Sequence, residues 1–83
     1  MRVSLFTTLG CHLCEEALVL LQAVAQARSA AEAEPLEIEA VEIADSDELM
    51  DRYGIRIPVV RTPDERELGW PFSLEALEGF LNG

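Results

Sequence analysis

The sequence predicts one α/β domain over residues 1–83, with elements in the order β-α-β-α-β-β-α. Three observations carry that prediction. A short apolar run, Val3 to Phe6, ends in turn residues and gives way to apolar residues at helical spacing from Glu15 to Arg28. Two further β-prone runs, Leu36 to Ile43 and Ile55 to Val59, flank a second and shorter helical stretch. A hairpin-like segment ending at Trp70 then leads into an amphipathic helix that starts near Ser73. With 83 residues there is room for one core only, and a 49% apolar composition can fill it without a disulfide scaffold or a structural metal.

Taken in order, Val3, Leu5 and Phe6 form a run too apolar for a half-exposed strand, which predicts a central strand with neighbours on both sides. Thr7, Thr8 and Gly10 supply the turn. The first helix places Leu13, Ala17, Leu20, Leu21 and Val24 on one stripe, with Cys14 at its edge beside Leu18 and Leu21. The Ala- and Glu-rich stretch from Ser29 to Pro35 reads as a solvated connection. In the next strand the apolar phase shifts from Leu36 and Ile38 to Val41 and Ile43, which predicts a bulge or a change from edge to buried. Asp45 and Glu48 read as a capping box for a helix with Leu49, Met50 and Tyr53 inward and Gly54 as its stop. Ile55, Ile57 and Val59 alternate along a third strand that contains Pro58, and a proline there marks a special position. Pro63-Asp64 starts a tight turn, and Glu67 to Trp70 is the hairpin partner. Ser73 caps the last helix, which lines up Leu74, Leu77, Phe80 and Leu81 and lets Phe72 staple onto Leu77.

The chemistry concentrates in Gly10-Cys11-His12-Leu13-Cys14, which holds both cysteines at a strand-to-helix turn. Unpaired N–H groups of a first helical turn, with the positive end of the helix dipole, favour a thiolate over a thiol. Such a thiolate attacks a disulfide, and a second cysteine one turn on displaces the product. Cys11 is therefore the expected exposed nucleophile and Cys14 the more buried resolving thiol. Glu15 and Glu16 suit the dipole but, as anions, oppose the thiolate. His12, the only histidine, is a candidate to tune Cys11 as a cation or to shuttle a proton, or else is a solvent-facing ring. Haem attachment is excluded because Glu15, not histidine, follows the second cysteine.

Two other classes compete with exchange chemistry. Zinc needs four ligands, and Cys11, Cys14 and His12 leave at least one unassigned; an iron–sulfur cluster bridging two chains is the other metal option. No metal ligand is assigned. A non-catalytic module would hold a peptide without turnover, with Trp70 and Phe72 as groove or, more simply, core residues. The pair could also be two small buried hydrophobes without chemistry.

A formal net charge of −10 argues against nucleic acid and against an anionic membrane surface, and favours a basic partner protein. Arg56, Arg61 and Arg66 read as solvated surface charges. The start of the chain lacks an apolar signal core and no stretch reaches spanning length, so a soluble cytoplasmic protein is expected. A monomer is expected as well, though nothing in the residues fixes the oligomeric state.

Together, Gly10-Cys11-His12-Leu13-Cys14, Tyr53-Gly54-Ile55-Arg56-Ile57-Pro58-Val59 and the element order resemble the thioredoxin-like fold and, within it, the small glutaredoxin-like proteins. The resemblance implies a central mixed four-stranded sheet flanked by helices. It also implies a cis Pro58 against the cysteines, with the backbone of Ile57 pairing to substrate, and thiol–disulfide exchange on protein or small-molecule disulfides. No bound cofactor is implied. The external electron donor is glutathione or a reductase, but the glutathione-binding residues of the better-known members are not matched. Here His12 and Leu13 stand between the cysteines, Thr8 and Leu9 precede them, Ile57-Pro58-Val59 replaces Thr-Val-Pro, and Gly69 to Ser73 lacks Gly-Gly-x-Asp.

Overall fold

The first strand organises the molecule because its alternating residues are buried on both sides. In the computed structural model, which describes residues 1–82, β1 (Arg2–Thr7) buries Val3 and Leu5 on one face of the sheet and Phe6 on the other. The chain continues through α1 (His12–Ala30), β2 (Glu37–Glu42), a 3-10 turn at Ile43–Asp45, α2 (Asp47–Tyr53), β3 (Val59–Arg61), β4 (Glu67–Gly69) and α3 (Leu74–Asn82). The sheet order is β2-β1-β3-β4, so β1 is central as its composition requires. β2 runs parallel to β1, whereas β3 and β4 are antiparallel to their neighbours. This is the mixed four-stranded α/β architecture expected.

Each sheet face has its own core. On one, α1 and α3 cover Val3, Leu5 and Val60 with Ala17, Leu21, Val24, Leu77 and Leu81. On the other, α2 brings Tyr53 against Phe6, Ile43 and Val59. The Tyr53 and Phe6 rings stack with centroids 4.2 Å apart and planes 12° from parallel, a geometry that adds to simple area burial.

Several local expectations are corrected. The shift of phase in β2 is not a bulge: its register with β1 is unbroken from Arg2↔Glu37 to Thr7↔Glu42. Instead Leu36 and Ile38 join the helix-covered core, and Val41 and Ile43 join the Tyr53 core, so one edge strand serves two faces. The cap of α2 is Ser46 rather than Asp45; its Oγ accepts from Leu49 N–H at 3.2 Å, because Ile43–Asp45 are taken up in the 3-10 turn. The third strand begins only after Pro58, and Ile55, which the alternation placed inward, is fully exposed in a turn. Leu13, Met50 and Leu74 are also exposed, each at the margin of its helix's buried face. Ser73 caps α3 as expected, accepting from Ala76 N–H at 3.0 Å. Trp70, partly buried, packs edge-to-face with buried Phe72, centroids 5.0 Å apart, and both join the helix-covered core, the simpler of the two expectations.

Candidate active site

The turn after β1 delivers Cys11 to the head of α1. Gly10 has φ +79, the left-handed region that a residue with a Cβ rarely adopts, and this reverses the chain between strand and helix. Cys11 then serves as the N-cap, with extended backbone angles, and its Sγ accepts a hydrogen bond from Cys14 N–H at 3.1 Å. The Cys11 sulfur thus occupies the place where a Ser or Asp oxygen usually satisfies a first-turn donor. Such a donor, with the helix dipole, stabilises negative charge on Sγ when the pair is reduced. Cys11 and Cys14 are joined in a disulfide, their Cα atoms 5.2 Å apart. Cys11 is half-buried and Cys14 only 3% exposed, so an incoming group meets Cys11 first.

The flanking loop is tied down by a residue the sequence reading overlooked. Glu42, the last residue of β2, accepts from Leu9 N–H at 3.0 Å and from Ala44 N–H at 3.0 Å. Hydrogen bonds from Ala44, Thr8 and Leu9 hold its carboxyl below the usual carboxylate range, so it stays ionised. Nothing in the sequence signals this, since Leu9 and Glu42 are 33 residues apart. The His12 side chain is 94% exposed with Nδ1 3.5 Å from Glu15 Oε2, an ion pair only when the ring is protonated.

Pro58 arrives at the same end of the sheet. Val59 pairs with Phe6, so Pro58 enters β3 next to Thr7, where the chain leaves for the cysteines. The Ile57–Pro58 peptide is cis, and so is Trp70–Pro71, which sequence gave no reason to single out. Ile57 N–H donates to Tyr53 O at 3.0 Å and Pro58 O accepts from Trp70 N–H at 3.1 Å. Of the backbone groups assigned to substrate pairing, the Ile57 carbonyl is therefore the one with no partner among the described residues.

Behind this loop lies a second unanticipated network. Tyr53 O–H donates to Glu67 Oε2 at 2.5 Å, and Arg56 Nη2 reaches Glu67 Oε1 at 3.3 Å. The Tyr53 bond, ahead of Arg56, holds the Glu67 carboxyl low, while burial and then Glu67 itself push the Tyr53 hydroxyl up. Among the described residues no group of three or more His, Cys, Asp or Glu is placed to hold a metal ion. No helix there is long and apolar enough to cross a membrane.

Residues 2–82 match the family model described as Glutaredoxin-like domain (DUF836). The chain belongs to this glutaredoxin-like family. Solved structures agree. An X-ray structure of the structural-genomics target XcR50 from X. campestris is 36% identical, with a TM-score of 0.79 over 96% of this chain and 95% of that one. Protein Ne2328 from Nitrosomonas europaea, at 22% identity, gives 0.75 over 95% of this chain and 88% of its own. Thioredoxin 1 from Thermosipho africanus, at 18% identity, gives 0.62 over 99% of this chain and 96% of its own, and shows that the glutaredoxin-like chain has the thioredoxin fold. A search of curated proteins found no match.

Proposed function

We propose that this glutaredoxin-like protein is a thiol–disulfide oxidoreductase that reduces disulfides of proteins or small molecules. The observation that carries the reading is the Cys11–Cys14 disulfide, with the more accessible sulfur at a helix N-terminus and accepting a backbone N–H. In the reduced protein the Cys11 thiolate attacks one sulfur of the target. The target's S–S bond breaks, one target thiolate leaves, and a mixed disulfide forms at Cys11. The Cys14 thiolate then attacks Cys11 Sγ, releasing the second target thiolate and closing the Cys11–Cys14 bond. Two electrons pass to the target, and its two thiolates take protons from water.

Ile57 and Pro58 form the substrate-binding edge in this reading, with the Ile57 carbonyl as acceptor, and His12 modulates charge near the attacking sulfur. An external thiol or reductase returns the electrons; glutathione and thioredoxin reductase are the two donors to be compared. The protein acts in the cytoplasm as a monomer without a bound cofactor, on disulfide-bearing substrates and not on nucleic acid or membranes.

Assays of insulin and hydroxyethyl disulfide reduction, fed by each donor in turn, test this. Cys11→Ser is expected to abolish turnover, and reduced Cys14→Ser, mixed with substrate and no donor, to stop at a mixed disulfide visible by mass spectrometry. If reduced wild-type protein leaves both substrates intact, the reading fails. Peptide binding that persists in Cys11→Ser alongside an inert wild type indicates a binding module instead.

A further inference from the structure

We infer that the cleft beside Cys11 receives an aliphatic side chain adjacent to the target cysteine, in peptide or protein disulfides that carry basic residues. The inference rests on the exchange activity proposed above. The cleft holds about 190 Å³; Leu5, Leu9, Leu18 and Ala40 line it with the two cysteines, Thr7 and Thr8 stand at its side toward the turn, and Glu15 is its only charged lining residue among those described. Pockets that enclose small-molecule ligands run to about 300–1,000 Å³, so this one suits a single side chain rather than a tripeptide such as glutathione.

One wall is held in place. Leu9 is 92% exposed, and its backbone N–H is held by Glu42, so the backbone from which this apolar side chain projects sits at a set place two residues from Cys11. An apolar group anchored this way in water is stabilised when a partner covers it. Charge defines the rest of the partner. Arg52 and Arg56 lie against the Tyr53 ring, Arg61 against Phe6 and Arg66 against Phe80, and none of them lines the cleft. With Glu15 in the lining and a net charge of −10, the approach is favourable for Lys and Arg and unfavourable for an anionic tripeptide.

The test uses the reduced full chain and synthetic hexapeptide disulfides with Leu, Ala or Glu beside the cysteine, in Lys-rich and Glu-rich versions. Thiol release is followed by chromatography. The Leu peptide is expected to react about tenfold faster than the Ala peptide, the low end of what a single methylene contributes in an enclosed apolar pocket. Lys-rich versions are expected to outpace Glu-rich ones, by a margin that shrinks as salt is added. Ala40→Trp, which fills the cleft from an exposed position on the edge strand β2, should bring the Leu-to-Ala ratio to about one. Leu9→Ala, which removes the wall without touching the core, should lower the same ratio. Equal rates for the Leu and Ala peptides in the wild type, a Glu-rich preference, or a ratio unmoved in both variants overturns the inference and leaves the exchange activity standing. Inertness toward every peptide and toward hydroxyethyl disulfide overturns both.

Discussion

At the scale of the residue, Tyr53 ties the site to the core more than its one phenol group suggests. Its ring stacks on Phe6, its hydroxyl donates to Glu67, and its carbonyl accepts from both Arg56 N–H and Ile57 N–H. The loop that carries Ile57 and Pro58 thus hangs from the backbone carbonyl of a residue whose side chain is buried on the far face of the sheet. Tyr53→Phe keeps the ring and removes only the donor, and is expected to cost about 1.5–3 kcal/mol at neutral pH, the range for a hydrogen bond to a charged group. The pH dependence has a definite sign. The Glu67 carboxyl is held low in the fold, so its contribution is complete above the carboxylate range of the unfolded chain and is lost as pH falls through the folded value. The Tyr53 hydroxyl is pushed up, so its contribution is complete below the ordinary tyrosine range and is lost as pH rises through the folded value. Urea unfolding of wild type and Tyr53→Phe across pH should therefore show a stability gap that is widest in between and narrows at both ends. A gap that widens on acidification contradicts this account.

At the scale of the element, the helices are set by their first turns. α2 has only 7 residues and Ser46 caps it, while α3 has 9 and Ser73 caps it. Helices this short do not persist alone in water, so cap and packing face together decide whether they form. Ser73→Ala is expected to lower stability by about 1 kcal/mol, measured as a shift of the urea midpoint with an unchanged slope. The mutation leaves Leu77 and Leu81 in place, so a far larger loss contradicts a role confined to the cap. α1 obeys the same rule with different chemistry: its cap is Cys11, and the capping acceptor is the disulfide-bonded Sγ.

At the scale of the whole molecule, charge is the dominant feature. Sixteen acidic residues face six basic ones, and several of the arginines are already committed: Arg56 to Glu67, Arg66 to Asp64 and Arg2 to Glu37 and Glu39. The remaining negative charge repels itself in the compact state. Raising sodium chloride from about 0.02 to about 0.5 M shortens the screening length from roughly 20 Å to a few ångström, so the melting temperature should rise. A melting temperature that falls with added salt would show that attractive pairs outweigh the excess negative charge.

What was legible in the sequence was whatever depends on near neighbours along the chain. The periodicity of α1, the run that makes β1 central, the Ser73 cap and the spacing of Cys11 and Cys14 are all set within a turn or two of helix or one strand. That Pro58 lies against the cysteines is what the resemblance implies; the pairing of Val59 with Phe6 brings Pro58 next to Thr7, at the end of the sheet where the chain leaves for the cysteines. The structure alone decided what depends on which strands lie side by side: that β2 feeds both cores without a bulge, that Ile55 faces water, that Glu42 fixes Leu9, and that Tyr53 and Glu67 anchor the loop holding Ile57. Those contacts join residues far apart in sequence through parallel pairing and sheet order, and a local pattern of apolar and polar residues carries no record of which distant partner will meet it.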